Sequence, residues 1–323
     1  MSQRTKKQHY VPRFYLDKFA DADGFIWNYG VDGGVSPRKA TDTAVETNFY
    51  SPIDAEGKRF DEGEAMLAGI ENSAAPLWDI VLSGDVVEGG DREIFSMFLA
   101  AQYLRSPSMI RAGAEIAGML ASHTAQMLTA NKASSDKMFD DIDASEDKFT
   151  SEEEREHLRQ FFRDPNNLSV NVLKSAGLPV LGSIEPIASM ICDMKWVVGR
   201  SRNQHIVTSD CPVTRVSDPA TYHPVYGDGG FANKSVRIQF PLDPYHVLET
   251  AWNGTERDRI ADIPKKMARE INSRRAYFAE NYLYSSVEDQ GIHKLSAKYL
   301  SASKPPLIKP GQPTSKINVK RKL

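Results

Sequence analysis

The sequence predicts an α+β fold, rich in helix, with a mainly antiparallel sheet. Three observations carry that reading. Short extended runs broken by turn residues open the chain, as in Gly24-Phe25-Ile26-Trp27-Asn28-Tyr29 followed by Asp32-Gly33-Gly34. Apolar residues then recur at helical spacing over most of residues 61–194. Strand-like runs and one long helix follow from residue 195, without a regular alternation of strand and helix. A hydrophobic content of 41% in 323 residues is enough for a sizeable core without staples. Residues 1–302 are read as a single domain, with hairpins over 22–58, helices over 61–194, and a sheet with a long helix over 195–300. Residues 303–323 read as a basic, disordered tail.

In order along the chain, Tyr15–Phe19 reads as a short helix. Gly24–Tyr29 and the piece near Val35 read as a hairpin, and Phe49–Ile53 as a further extended piece closed by Glu56-Gly57. Asp61 is placed to cap a helix through Met66, Leu67, Ile70 and Ala74, which Pro76 divides before Leu77–Leu82. Asp91 caps another, with Ile94, Phe95, Phe98, Leu99, Gln102 and Tyr103 at helical spacings and Pro107 as its interruption. Met109–Leu128 is a further helix. The acidic stretch Asn131–Lys148 reads as a loop or mobile insertion. Ser151 and Glu154 form a capping-box pattern before Leu158, Phe161 and Phe162. A helix over Leu168–Met194, kinked at Pro179 and Pro186, closes the helical region. Trp196–Gly199 and His205–Thr208 read as strands around a polar turn. Arg237–Phe240 and His246–Thr250 read as two more, joined at Pro241–Pro244. A helix over Ile263–Glu280 and a strand at Tyr282–Tyr284 complete the list.

Composition excludes several classes of function. A net charge of -3 gives no global attraction to nucleic acid, so local basic runs carry that question alone. Two cysteines, Cys192 and Cys211, exclude a disulfide scaffold and a cysteine-rich zinc module, and both thiols are expected reduced in a cytoplasm. Met1–Lys7 is charged but has no apolar run after it, unlike a signal peptide. The apolar stretch near Leu178–Met194 is broken by Pro179, Gly182, Glu185 and Pro186, so no membrane association is expected.

The densest chemistry lies in Gln8-His9-Tyr10-Val11-Pro12-Arg13-Phe14-Tyr15-Leu16. A terminus this aromatic is expected to dock against the body of the protein. Together with Phe19-Ala20, the stretch resembles the opening of the uncharacterised domain-of-unknown-function family 4238. Asn48-Phe49-Tyr50, Glu64, Glu71, Gln102, Arg105-Ser106-Pro107, Thr208-Ser209-Asp210-Cys211-Pro212, Phe240-Pro241-Leu242 and Asn272 follow in the order the resemblance implies. The similarity covers roughly Gln8 to Tyr284 and supplies candidate positions without a mechanism.

His9 is the candidate acid or base, since an imidazole titrates near neutrality. The bland alternative is a histidine that orders the terminus. Asp210, at a strand end, is the candidate catalytic carboxylate, against an aspartate accepting backbone N–H groups in a turn. Gln102 and Arg105 share a helix face with Phe98 and Leu99, so Arg105 requires a carboxylate, a phosphate or carbonyls. Asp210 and Glu71 are its protein candidates. Arg13, Gln102, Arg105 and Asn272 form the candidate binding set. Glu64 and Glu71, seven apart on one helix face, are the candidate ligands of a divalent cation such as Mg, against a solvated face or arginine partners. Zinc motifs, a nucleophile elbow and Gly-rich phosphate loops are absent from the sequence. The basic runs Arg4/Lys6/Lys7 and Lys316/Lys320/Arg321/Lys322 could touch phosphates or simply aid solubility.

The leading expectation is a cytoplasmic phosphoester-acting enzyme, a nuclease of a defence or toxin-like system acting on nucleic acid or a nucleotide. It uses His9 as acid/base, Arg13, Gln102 and Arg105 as phosphate clamps, and Asp210 as carboxylate. Its rival is a non-catalytic binding or sensor domain for an anionic ligand. A third reading makes the motif a folding signature whose polar groups are all satisfied internally.

Overall fold

The computed structural model describes residues 7–50, 62–164, 167, 172–223, 227–253 and 259–300. The expected cap at Asp61, the closure at Glu56-Gly57, the tail from residue 303 and the basic residues Arg4, Lys6, Lys316, Lys320, Arg321 and Lys322 lie outside them. The chain opens with β1 (Lys7–His9), α1 (Arg13–Leu16), β2 (Phe25–Gly30), β3 (Val35–Lys39) and β4 (Val45–Thr47). The Asp32 carboxylate accepts the Gly34 N–H at 2.9 Å, and Gly33 takes φ 82°, which turns β2 antiparallel onto β3. β1 pairs antiparallel with β4, His9 opposite Val45. The helix expected at Tyr15–Phe19 starts earlier, at Arg13, and ends as a 3-10 turn over Asp17–Phe19. Phe49 and Tyr50 are not extended. Asn48 adopts φ 55°, a left-handed conformation that asparagine tolerates, and turns the two rings into the core.

α2 (Glu62–Ala74) and α3 (Trp78–Ser83) are divided by a 3-10 turn that holds Pro76, as expected. α4 (Gly89–Leu104) starts two residues before Asp91, which lies in its first turn instead of capping it. α5 (Pro107–Ala130) starts on its proline, the position where a missing N–H costs nothing. α6 (Lys132–Glu146) and α7 (Glu152–Arg163) follow, then a 3-10 segment over Lys174–Ser183 and α8 (Ile184–Asp193). The expected kinked helix over Leu168–Met194 is therefore two elements, with Pro179 inside the 3-10 part. Lys174–Asp193 has a mean hydropathy of 1.3 and the length of a membrane span. Its α8 half lies against α4 and buries Ile184, Ile187, Ala188 and Ile191.

The chain divides into two compact units, residues 1–109 with 180–323, and residues 110–179. Within the smaller unit, the loop expected over Asn131–Lys148 is mostly helix α6. Asn131 caps it by accepting the Ala133 N–H at 2.8 Å. The acids that suggested a solvated insertion meet arginines from α7. Buried Arg159 bonds Asp136, Glu152 and Glu156, and Arg155 bonds Asp140 and Asp143 at 2.8 Å each. The capping box at Ser151 and Glu154 is present as expected. Hydrogen bonds from Thr150 hold the Asp143 carboxyl below its ordinary range, and Lys132 with Arg159 does the same for Glu152. A depressed carboxyl contributes stability above its unfolded value, near ~4, and that contribution is lost as pH falls through the lower folded value. Amide exchange of α6 and α7 should accordingly lose protection below about pH 4 while that of β5–β9 persists. Equal protection of both regions at about pH 3 would contradict this.

The larger unit holds two principal sheets. β5 (Lys195–Ser201), β6 (Thr208–Ser209), β7 (Thr214–Val216), β8 (Arg237–Asp243), β9 (His246–Ala251), β10 (Arg259–Ile263), α9 (Lys265–Phe278), β11 (Tyr282–Ser285) and α10 (Gln290–Tyr299) complete the chain. One sheet runs β10-β5-β9-β8-β7 and the other β3-β2-β11-β6. Only the β10–β5 pairing is parallel among those described. The β8–β9 hairpin, α9 and β11 match the sequence reading, whereas β7, β10 and α10 were not anticipated. His205–Val207 is not a strand. The Asn272 side chain donates to His205 O at 2.7 Å and accepts from Val207 N at 3.0 Å, taking the backbone groups a neighbouring strand would use. Trp78 packs among Phe14, Tyr15, Phe95, Phe98 and Phe240, so the N-terminal aromatics form part of the main core.

Candidate functional site

Gln8, His9 and Tyr15 of the N-terminal motif each have a hydrogen-bonding side chain with a defined partner. Gln8 is buried. Its Nε2 donates to Glu64 at 2.6 Å, and its Oε1 accepts the Tyr50 N–H at 2.7 Å. His9 Nε2 lies 3.2 Å from Ala40 O. A carbonyl only accepts, so Nε2 carries the proton and Nδ1 holds the lone pair. Half-burial lowers the His9 pKa, opposed by the Ala40 bond and reinforced by Arg105, so the ring is neutral at pH 7. The backbone of the motif is held as well: Arg105 donates to His9 O, and Gln102 Nε2 donates to Tyr10 O at 3.2 Å. Tyr15 Oη meets Thr208 Oγ1 at 2.6 Å, and its ring stacks on Phe240 with centroids 4.8 Å apart.

Arg105 stands at the C-terminal cap of α4, where the helix dipole favours a cation. Its guanidinium bonds Glu71 of α2, the His9 carbonyl and, from Nε at 3.2 Å, Tyr50 Oη. Tyr50 Oη in turn donates to Arg105 O at 3.3 Å. Burial pushes the Tyr50 hydroxyl up to about 12, so it stays neutral. Of the two carboxylates considered as Arg105 partners, Glu71 is the one used.

Thr208–Pro212 is equally occupied. Asp210 is fully buried. It accepts the N–H groups of Glu280, Asn281 and Tyr282 at 2.8, 2.6 and 3.1 Å, backbone donors of a distant segment rather than of its own turn. Burial raises its pKa to about 6 against the pull of those three bonds. Ser209 Oγ accepts the Cys211 N–H at 3.1 Å. Arg275, fully buried, donates to the carbonyls of Cys211, Pro212 and Gln239. Burial lowers its pKa to about 10, which leaves it charged at neutral pH.

The structure therefore gathers His9, Glu64, Glu71, Gln102 and Arg105 around β1 and the end of α4. Asp210 is buried, with both of its oxygens engaged by the N–H groups of residues 280–282. Asn272 belongs to the His205–Val207 clamp. Arg13 is exposed and pairs with Asp17 one turn along at 3.8 Å, still near enough to His9 to influence its titration. Glu64 accepts from Gln8, and Glu71 pairs with Arg105. No group of three His, Cys, Asp or Glu side chains poised for a metal occurs among the described residues. Sequence reasoning passed over Gln8, Tyr50 and Arg275. The first two stand inside quoted motifs, and Arg275 lies three residues from Asn272, on its helix face.

A polar cleft opens elsewhere in the larger unit, alongside β7, β8 and the end of β9. Its volume is about 370 Å³, and Ser217, Asp218, Lys234, Ser235, Arg237 and Asn253 line it. The Ser217 hydroxyl donates to Asp228 at 3.0 Å and that of Ser235 to Asn233 at 3.0 Å. The lining cations are less committed. Arg237 reaches Glu249 at a long 3.4 Å in an exposed pair, and Lys234 Nζ lies 3.4 Å from the centroid of the Trp252 ring. Among the described lining residues, two cations against one acid give the cleft an anion-attracting character.

A family model described as a protein of unknown function (DUF4238) matches residues 7–289. No curated protein matches the chain, and neither does any solved structure.

Proposed function

We propose that this chain, which belongs to the DUF4238 family, is a non-catalytic binder of an anionic small molecule, its N-terminal motif serving as a lock on the fold. The observation that carries the reading is the cleft, where among the described residues Lys234 and Arg237 outnumber the one acid, Asp218. Its described lining offers an anion both charge and hydrogen bonds, from Lys234, Arg237, Ser217, Ser235 and Asn253. The motif gives further support: Arg105 is neutralised by Glu71, and both Asp210 oxygens are taken by backbone. Calorimetric titration with inorganic phosphate at low ionic strength tests the reading. Saturable binding that weakens with salt and is lost in Arg237→Glu is expected. No binding, or equal binding by both proteins, would contradict it.

A second reading, phosphoester hydrolysis by a nuclease, is favoured by His9. Its neutral ring has an Nδ1 lone pair with no partner among the described residues, and the Arg13 guanidinium is near. Incubating RNA and DNA with wild type and His9→Ala separates the two. The binding reading expects both nucleic acids to stay intact. Cleavage by wild type that His9→Ala abolishes would replace the binder with an enzyme.

A further inference from the structure

We infer that the ligand of this cleft is a nucleoside monophosphate, its phosphate held by Lys234 and Arg237 and its base stacked on the Trp252 face that Lys234 now covers. The inference rests on the anion-binding reading. A volume of about 370 Å³ suits an organic ligand better than a bare oxyanion, being within the ~300–1,000 Å³ of small-molecule sites. The chemistry of Lys234 supplies the second part. Its ammonium lies over the Trp252 ring at 3.4 Å while the residue also lines the cleft. An exposed cation–π contact is weaker than a charge-assisted bond to phosphate, so an entering phosphate draws Lys234 off the ring. The ring itself is held, because Trp252 Nε1 donates to Phe231 O at 2.8 Å. Trp252 stands between the lining residues Ala251 and Asn253 without itself lining the cleft, and departure of the lysine uncovers its fixed ring for base stacking within reach of Lys234. Asn253 adds a donor at the rim: its amide nitrogen reaches Lys234 O at 3.3 Å, and the group carries a second hydrogen that ribose or phosphate can accept.

Titrations of wild type with inorganic phosphate, ribose 5-phosphate and AMP, followed by calorimetry and tryptophan fluorescence, test this. AMP is expected to bind at least about tenfold more tightly than ribose 5-phosphate and to change the fluorescence where ribose 5-phosphate does not. Trp252→Leu should lose the AMP advantage yet keep its phosphate affinity, with a thermal melt confirming the fold. Should that variant not fold, the wild-type comparison of AMP with ribose 5-phosphate decides alone. Equal affinities for those two ligands, or an AMP preference that survives in Trp252→Leu, would overturn the nucleotide inference and leave the anion reading standing. Failure of all three ligands to bind would remove both.

Discussion

Arg105→Ala should lower the unfolding free energy by about 3–5 kcal/mol, the range for removing one member of a buried ion pair. The guanidinium is 4% exposed and Glu71 23% exposed, so the carboxylate left behind is largely shielded from water. The loss reaches further than the pair. The His9 carbonyl loses its donor, and Tyr50 Oη loses the Nε contact that fixes it. Arg105→Lys keeps the charge without the planar fork. It can satisfy Glu71 or His9 O, but not both together with Tyr50, so a smaller loss of about 1–2 kcal/mol is expected. Urea melts of the three proteins check the order. An Arg105→Ala protein within about 1 kcal/mol of wild type would show that the fork contributes little. Phosphate affinity should be unchanged in Arg105→Lys, because Arg105 is outside the cleft lining.

Asp210→Asn is the second large effect. One carboxylate oxygen accepts Glu280 N–H, and the other accepts those of Asn281 and Tyr282. An amide replaces one acceptor with an NH2 group that faces backbone donors, at a cost of about 2–4 kcal/mol. The effect depends on pH in a defined sense. The folded pKa, raised to about 6, exceeds the unfolded value near ~3.9. Between the two, the unfolded chain has released a proton that the folded one retains, so stability from this group falls as pH rises and is lost through about pH 6. Asp210→Asn lacks that slope. The stability gap between the two proteins should be widest near pH 4 and narrow above pH 6, and a gap that grows with pH would contradict the assignment.

Elements whose signal is local were legible in the sequence. The β2–β3 turn follows from Asp32-Gly33-Gly34, and the capping box of α7 from Ser151 and Glu154. α6 was not legible, because the acids of Asn131–Lys148 read as solvated until Arg155 and Arg159 of the next helix face them. β10 was not legible for a similar reason, since its parallel partner β5 is about sixty residues away. Arg105 with Glu71 could be argued from an inward helix face, whereas nothing in Thr208–Pro212 reveals that Asp210 turns to the N–H groups of residues 280–282. The cleft combines β7, the segment before β8 and the end of β9. Its two walls meet only once the β8–β9 register places Arg237 opposite Ala251.

An anion bound in the cleft would leave the N-terminal motif untouched. Backbone amide spectra of the protein recorded during a phosphate titration measure that directly. Shifts confined to residues 216–218, 234–237 and 251–253, saturating together, are the expected result. Saturating shifts at His9, Tyr50 and Arg105, with the cleft unmoved, would contradict the claim and return the function to the N-terminal motif.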